Sequence, residues 1–285
     1  MNNKGGVGKS TFAQQILTPY NLINNNEAFI KELDDQNKDA KSLTASNVIA
    51  EQVKVIGENN LREKVTEYEI INPETKNTII DVGGNITTDI FIKAIHASLE
   101  VLDFVDAIFI PVIDNGISVD NAKNVYANLT KDGELKEVAA KVVFVINNMA
   151  TWRFNDAVKN KDLDELNNIA YKRYYDAIDY FNSVNAKWLP VLQMDGIENT
   201  KAAFNSTAVE IFNNLEELKE VATQAQRDAF NLKDQARKTA ITRAARLKNM
   251  LHDVTLYVPT ILFTHEILKD ILSNLNSKPE VNKKV

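Results

Sequence analysis

The sequence predicts an α/β fold: a mostly parallel sheet with helices on both faces, followed by a C-terminal helical extension. Three observations predict it. Short apolar runs of strand length alternate with longer segments of helical periodicity, the pattern of a parallel sheet covered on both sides. These runs end in polar clusters, where open α/β sheets place their ligands. The charge balance also changes sign late in the chain. Residues 1–220 hold 22 Lys/Arg against 33 Asp/Glu, and residues 221–285 hold 11 against 6. That shift divides the chain into a body, 1–220, and an extension, 221–285.

The chain opens on Asn3-Lys4-Gly5-Gly6-Val7-Gly8-Lys9-Ser10-Thr11. Thr11 to Leu17 continues as a helix that Pro19 should end. Asn24-Asn25-Asn26 is a loop, and residues 28–33 form a strand that closes with Asp34-Asp35-Gln36. Residues 78–80 form a short buried strand ending at Asp81-Val82-Gly83-Gly84-Asn85. Further apolar runs cover 107–112, 142–146 before Asn147-Asn148, and 188–192. Helices are predicted at about 87–101, 118–130, 162–183 and 200–220. Tyr171, Tyr174, Tyr175, Tyr180 and Phe181 fall at helical spacing and suit packing of an amphipathic helix. Residues 221–252 are predicted as one long helix, and 260–275 as a second, more apolar one.

Composition narrows the chemistry. Of the 285 residues 44% are hydrophobic and 25% charged, ordinary for a globular chain. There is no Cys, which excludes disulfides and thiolate zinc sites. His96, His252 and His265 are scattered, which argues against a histidine metal site. No apolar run reaches the roughly 18 residues of a membrane span. No secretory signal precedes the glycine stretch. The expected compartment is the cytoplasm, with no stable membrane insertion.

The opening stretch carries the most specific chemistry. Its glycines let backbone approach an anion with no Cβ in the way. Consecutive N–H groups over Gly5, Gly6, Val7, Gly8, Lys9, Ser10 and Thr11 then face phosphate oxygens. Lys9 reaches the phosphates, and the Ser10 hydroxyl suits Mg²⁺. The helix that follows adds the positive end of its dipole. This is a P-loop, and it sets the expected architecture as the P-loop NTPase type. Counting back from Gly8, Asn3 takes the first glycine position of the generic motif and Lys4 follows it.

A lysine there resembles the deviant Walker A motif of the ParA/MinD family of dimeric ATPases. Asn3 is more similar to the ParA branch. The resemblance covers about three-quarters of the chain, with gaps. It implies an ATP- and Mg²⁺-dependent homodimer in which Lys4 reaches the partner's nucleotide. Only Met1 and Asn2 precede the loop here, where the family has an apolar strand, so the first strand is expected to be missing from the chain as given. Asp81, after an apolar strand, resembles the family's second Mg²⁺-shell residue. Glu32-Leu33-Asp34-Asp35-Gln36 resembles its D-x-D-P-Q segment, with Glu32 replacing the first Asp and Asp35 standing where Pro is usual. That assigns water orientation to Asp34, with Asp35 as the alternative. Asn147 resembles the adenine-contacting residue, and 190–197 the loop that closes over the base. Catalysis is then expected of Lys4, Lys9 and Asp34.

In the extension, Arg237, Lys238, Arg243, Arg246 and Lys248 form a basic helix able to neutralise DNA phosphates without reading sequence. A solvated helix face is the alternative. The resemblance implies a slow, partner-stimulated ATP hydrolase. It would switch binding of nonspecific DNA and a ParB-like or cargo adaptor protein in plasmid or chromosome partition, and would associate with the nucleoid where DNA binding holds. A related ATPase positioning a protein cargo, including conjugation machinery, is one rival. A non-hydrolysing nucleotide-dependent scaffold is the other.

Overall fold

The computed structural model describes residues 1, 6–33, 43, 47–53, 77–84, 86–149, 155–192, 194 and 196–276. The glycine stretch leads into α1 (Lys9–Phe12), a π-helical turn (Ala13–Leu17) and α2 (Thr18–Asn25). Pro19 does not end the helix, as the sequence predicts it should. It has no N–H for the carbonyl four residues back, and the wider turn before it absorbs the break. The Thr18 hydroxyl donates to the Ala13 carbonyl at 2.8 Å, which satisfies an acceptor in that turn. The helix stops at Asn26, whose φ of 63° is left-handed.

β1 (Ala28–Leu33), β2 (Val48–Gln52) and β3 (Thr78–Val82) pair in parallel in the order β2-β1-β3. After α3 (Ile86–Ala97) and a 3₁₀ turn (Leu99–Phe104) comes β4 (Ile108–Val112). α4 (Gly116–Thr130) and α5 (Lys136–Ala139) lead to β5 (Val142–Met149). α6 (Asn155–Lys159) and α7 (Leu163–Ser183) lead to β6 (Lys187–Leu192). These three strands also pair in parallel, in the order β4-β5-β6.

The single sheet of P-loop NTPase type, flanked on both faces by helices, is therefore not what the chain forms. Among the described residues 67% are helical, and the strands fall into two separate three-stranded sheets. The ATPase architecture implied by the Walker A and P-loop description is corrected with it. The break lies between β3 and β4, each of which pairs on one side only among the described residues. Both line a common cavity of about 870 Å³. Paired strands lie about 4.8 Å apart, and no described strand fills that space, so both ladders stop at its walls.

The core is largest around β5, where Val143, Phe144, Val145 and Ile146 are wholly buried. Phe144 stacks on Phe181 of α7, with ring centroids 4.0 Å apart and planes within 10°. That places Tyr174, Ala177, Ile178 and Phe181 of the aromatic helix in the core. Tyr171 and Tyr175 stay exposed.

The chain ends in α8 (Ile197–Phe204), α9 (Ala208–Asn213), α10 (Leu215–Ala229) and α11 (Asp234–Asn276). α9 starts on a reciprocal cap between Thr207 and Glu210. The predicted helices 221–252 and 260–275 are redrawn. The break falls at 230–233, and α11 runs through Pro259 without ending. Val254, Val258 and Ile261 are almost completely buried on either side of that proline. Packing holds the helix across the lost backbone bond. The first half of α11 lies along α10, through Arg237 on Phe230 and Lys248 on Gln226, and the helix also packs on α9, β6, α6, α8 and the π-helical turn.

Candidate functional site

The glycine loop is built by backbone that only glycine adopts easily. Gly6 has φ 74° and Gly8 φ 81°, both left-handed. At Gly8 a side chain is excluded twice, because a Cβ there would lie 2.0 Å from Nδ2 of Asn147. Val7 between them is fully buried. The Gly8 carbonyl accepts from the Phe12 N–H at 2.9 Å, which starts α1. Lys4, Gly5 and Asp34 lie outside the described residues, as does Asp35.

Asn147 sits at the carboxyl end of β5, as its place in the sequence suggests. Its Nδ2 donates to the Val7 carbonyl at 3.0 Å, and it is 9% exposed. The sequence expectation for Asn147 is contact with a base; the structure gives its amide a partner inside the loop itself. The Tyr174 hydroxyl donates to the Asn147 carbonyl at 3.4 Å. Burial pushes that phenol up to about 12, so it stays a donor at any physiological pH.

Lys9 and Asp81 are brought together. Both line the cavity between β3 and β4, beside Met1. The Met1 ammonium donates to the Phe109 carbonyl of β4 at 2.6 Å. Burial, and next the Lys9 charge, lower its pKa to about 5. Asp81 is 8% exposed and stands in register with Glu32 of β1, which is 2% exposed. Two carboxylates thus end neighbouring parallel strands behind the loop. Glu32 was visible in the sequence only as a replacement for an aspartate; its strand-end position was the signal. Ser10, half-buried in α1, and Asp81 offer the hard oxygen donors that Mg²⁺ takes alongside water. Among the described residues no group of three or more His, Cys, Asp or Glu could hold a metal by itself.

The basic residues lie on the arm formed by α10 and the first half of α11. At about 100° per residue they do not make one stripe. Arg237 and Lys248 project in nearly the same direction. Arg243 and Arg246 project about 60° apart on another side. The first pair is engaged: Arg237 lies 5.1 Å over the Phe230 ring, and Lys248 donates to Gln226 Oε1 at 2.7 Å. Lys238, Arg243 and Arg246 are exposed and make no ion pair among the described residues. No helix among the described residues is long and apolar enough to cross a membrane.

The chain matches no protein-family model and no curated protein sequence.

Proposed function

We propose that this chain is a ParA-like ATPase that dimerises on ATP and uses hydrolysis to switch its hold on DNA or a partner protein, in plasmid or chromosome partition. One observation carries the reading: two left-handed glycines, Gly6 and Gly8, bracket a buried Val7 and open directly onto α1. This is a backbone arrangement that turns successive N–H groups toward an anion. The reading rests on that loop and not on the sheet architecture.

Lys9 would neutralise charge on the phosphates, with Lys4 acting across the dimer. Asp34 would orient the attacking water. Ser10 and Asp81 would hold Mg²⁺, whose charge withdraws electron density from the transferring group. Arg243 and Arg246, exposed on the arm, would meet DNA phosphates. The dimer doubles their number.

ATP turnover, measured with and without duplex DNA, is the test. Slow turnover that rises with DNA or an adaptor supports the switch. Tight ATP binding with no turnover favours the nucleotide-dependent scaffold. No binding of ATP overturns the reading. Lys4→Ala separates the dimer from the monomer: it should bind ATP yet remain monomeric in sedimentation with a nonhydrolysable analogue.

A further inference from the structure

Behind the glycine loop one amide lies between two buried charges. Gln14, on the π-helical turn, is fully buried. Its Oε1 accepts from Nζ of Lys201 on α8 at 2.5 Å. Its Nε2 donates to Oε1 of Glu32 on β1 at 3.5 Å. Lys201 is 6% exposed and Glu32 2%. An amide has a carbonyl end and an N–H end, and here each faces the charge it suits. The chain of contacts continues outward. Lys201 pairs with Oε2 of Glu198 at 2.7 Å, and Oε1 of Glu198 accepts from the Thr11 hydroxyl at 3.0 Å. Three elements, β1, the helix behind the loop and α8, are tied by one polar path from Thr11 to Glu32.

Such a path is not the cheapest way to fill a core. Buried charge pairs are often matched or exceeded in stability by apolar side chains of the same volume. What a polar path supplies is direction. α1 is the first turn of a helical segment that continues through the π-helical turn to Asn25, and it has no side-chain cap at its start. Gln14 lies one turn behind that start, where a polar tie bears directly on the direction of the first turn. A phosphate cradle made of N–H groups must be held to about 0.5 Å.

We infer that Lys201 and Glu32 are positioning residues for the phosphate-binding loop, acting through Gln14 to fix the direction of α1. This rests on the loop being an ATP site, as proposed above. Lys201 is buried against Gln14, and it holds the group that holds the helix.

The test compares the full chain with Lys201→Met, Glu32→Gln and the double variant. Affinity for ATP and for AMP is measured by calorimetry at a temperature where circular dichroism shows each variant folded. Each single variant should weaken ATP about tenfold and AMP much less, because the loss falls on the β- and γ-phosphates. The double variant should be no weaker than the worse single one, since both break the same bridge. A general loosening would instead weaken ATP and AMP alike. If Lys201→Met fails to fold, Glu32→Gln carries the same comparison. ATP affinity within twofold of the parent in a folded variant overturns the inference, as do strictly additive losses. No ATP binding by the parent overturns the ATP reading and this inference with it. Parental ATP binding left unchanged in the variants overturns only the inference.

Discussion

Asn147 and Val7, 140 residues apart, are joined by a hydrogen bond of 3.0 Å between a side-chain amide and a backbone carbonyl. The bond ties the end of β5 to the middle of the glycine loop. It also fills the space that a side chain at Gly8 would need. Gly8→Ala should therefore suffer twice, from a left-handed φ costing about 1–3 kcal/mol and from collision with the Asn147 amide. The expected outcome is a fall in Tm of roughly 5–10 °C and at least tenfold weaker ATP binding. Adding Asn147→Ala relieves the collision but not the backbone strain, so Tm should recover only in part.

Lys9→Ala should abolish ATP binding, because the phosphates lose their principal counter-charge. A loss of binding must be told from a loss of fold. Calorimetry and thermal melting of the same preparation separate the two effects. ATP affinity within twofold of the parent would remove Lys9 from the site.

His265 gives the fold a pH dependence. Its ring is 8% exposed, edge-on to Tyr20, with Nε2 2.8 Å from the Ile16 carbonyl. Burial lowers its pKa from 6.5 to about 4, and the Ile16 carbonyl opposes that only in part. The native state therefore binds fewer protons than the unfolded chain between these values. Stability from this group is complete above pH 6.5, declines as pH falls toward 4, and is lost below it. The full loss is about 3 kcal/mol. Urea unfolding from pH 7.5 to 4.5 should show the decline, and His265→Gln should flatten it. An unchanged slope would assign the acid sensitivity to other groups.

Phe181→Ala should be the most damaging of these changes to stability alone. It removes the ring stacked on Phe144 in the wholly buried part of the core. Large-to-small changes of this type cost about 3–5 kcal/mol. Denaturant unfolding reads it directly.

Replacing Arg243 and Arg246 by Glu should abolish DNA binding and leave ATP binding intact. Each phosphate contact adds roughly −0.9 to the slope of log affinity against log salt. The parent's binding should fade over a few hundred millimolar salt and ignore sequence. Arg237→Ala should cost less DNA affinity, because that guanidinium is already occupied by Phe230. Mobility shifts with two unrelated duplexes at two salt concentrations decide it.

How much of this was legible in the sequence differs by element. The strand segments 28–33, 78–80 and 142–146 were visible because an apolar run is a local property. Their division into two sheets was not, because pairing of β3 and β4 depends on what lies between them. Pro19 misled in the same way, and the gap left between the predicted helices 221–252 and 260–275 is crossed by α11. A proline states its missing N–H, but says nothing of a π turn or of buried Val258 and Ile261 that keep the helix going. At the site, Gly8 and Lys9 announced themselves by spacing. Lys201 did not: in the sequence it is one more lysine on an amphipathic helix, and only the approach of α8 to Gln14 gives it a role. Among the basic residues the sequence offered five equal charges, whereas the fold engages Arg237 and Lys248 and leaves Arg243 and Arg246 to solvent.

The facing edges of β3 and β4 bear on how this molecule coexists with its own copies. A strand edge invites recruitment of foreign backbone, and stacks of such additions become fibrils. Here the two edges look into one shared chamber, whose wall includes Lys269, Leu272 and Ser273 from the end of α11. Those turns of the helix therefore form part of the wall that stands between these two edges and a neighbouring copy.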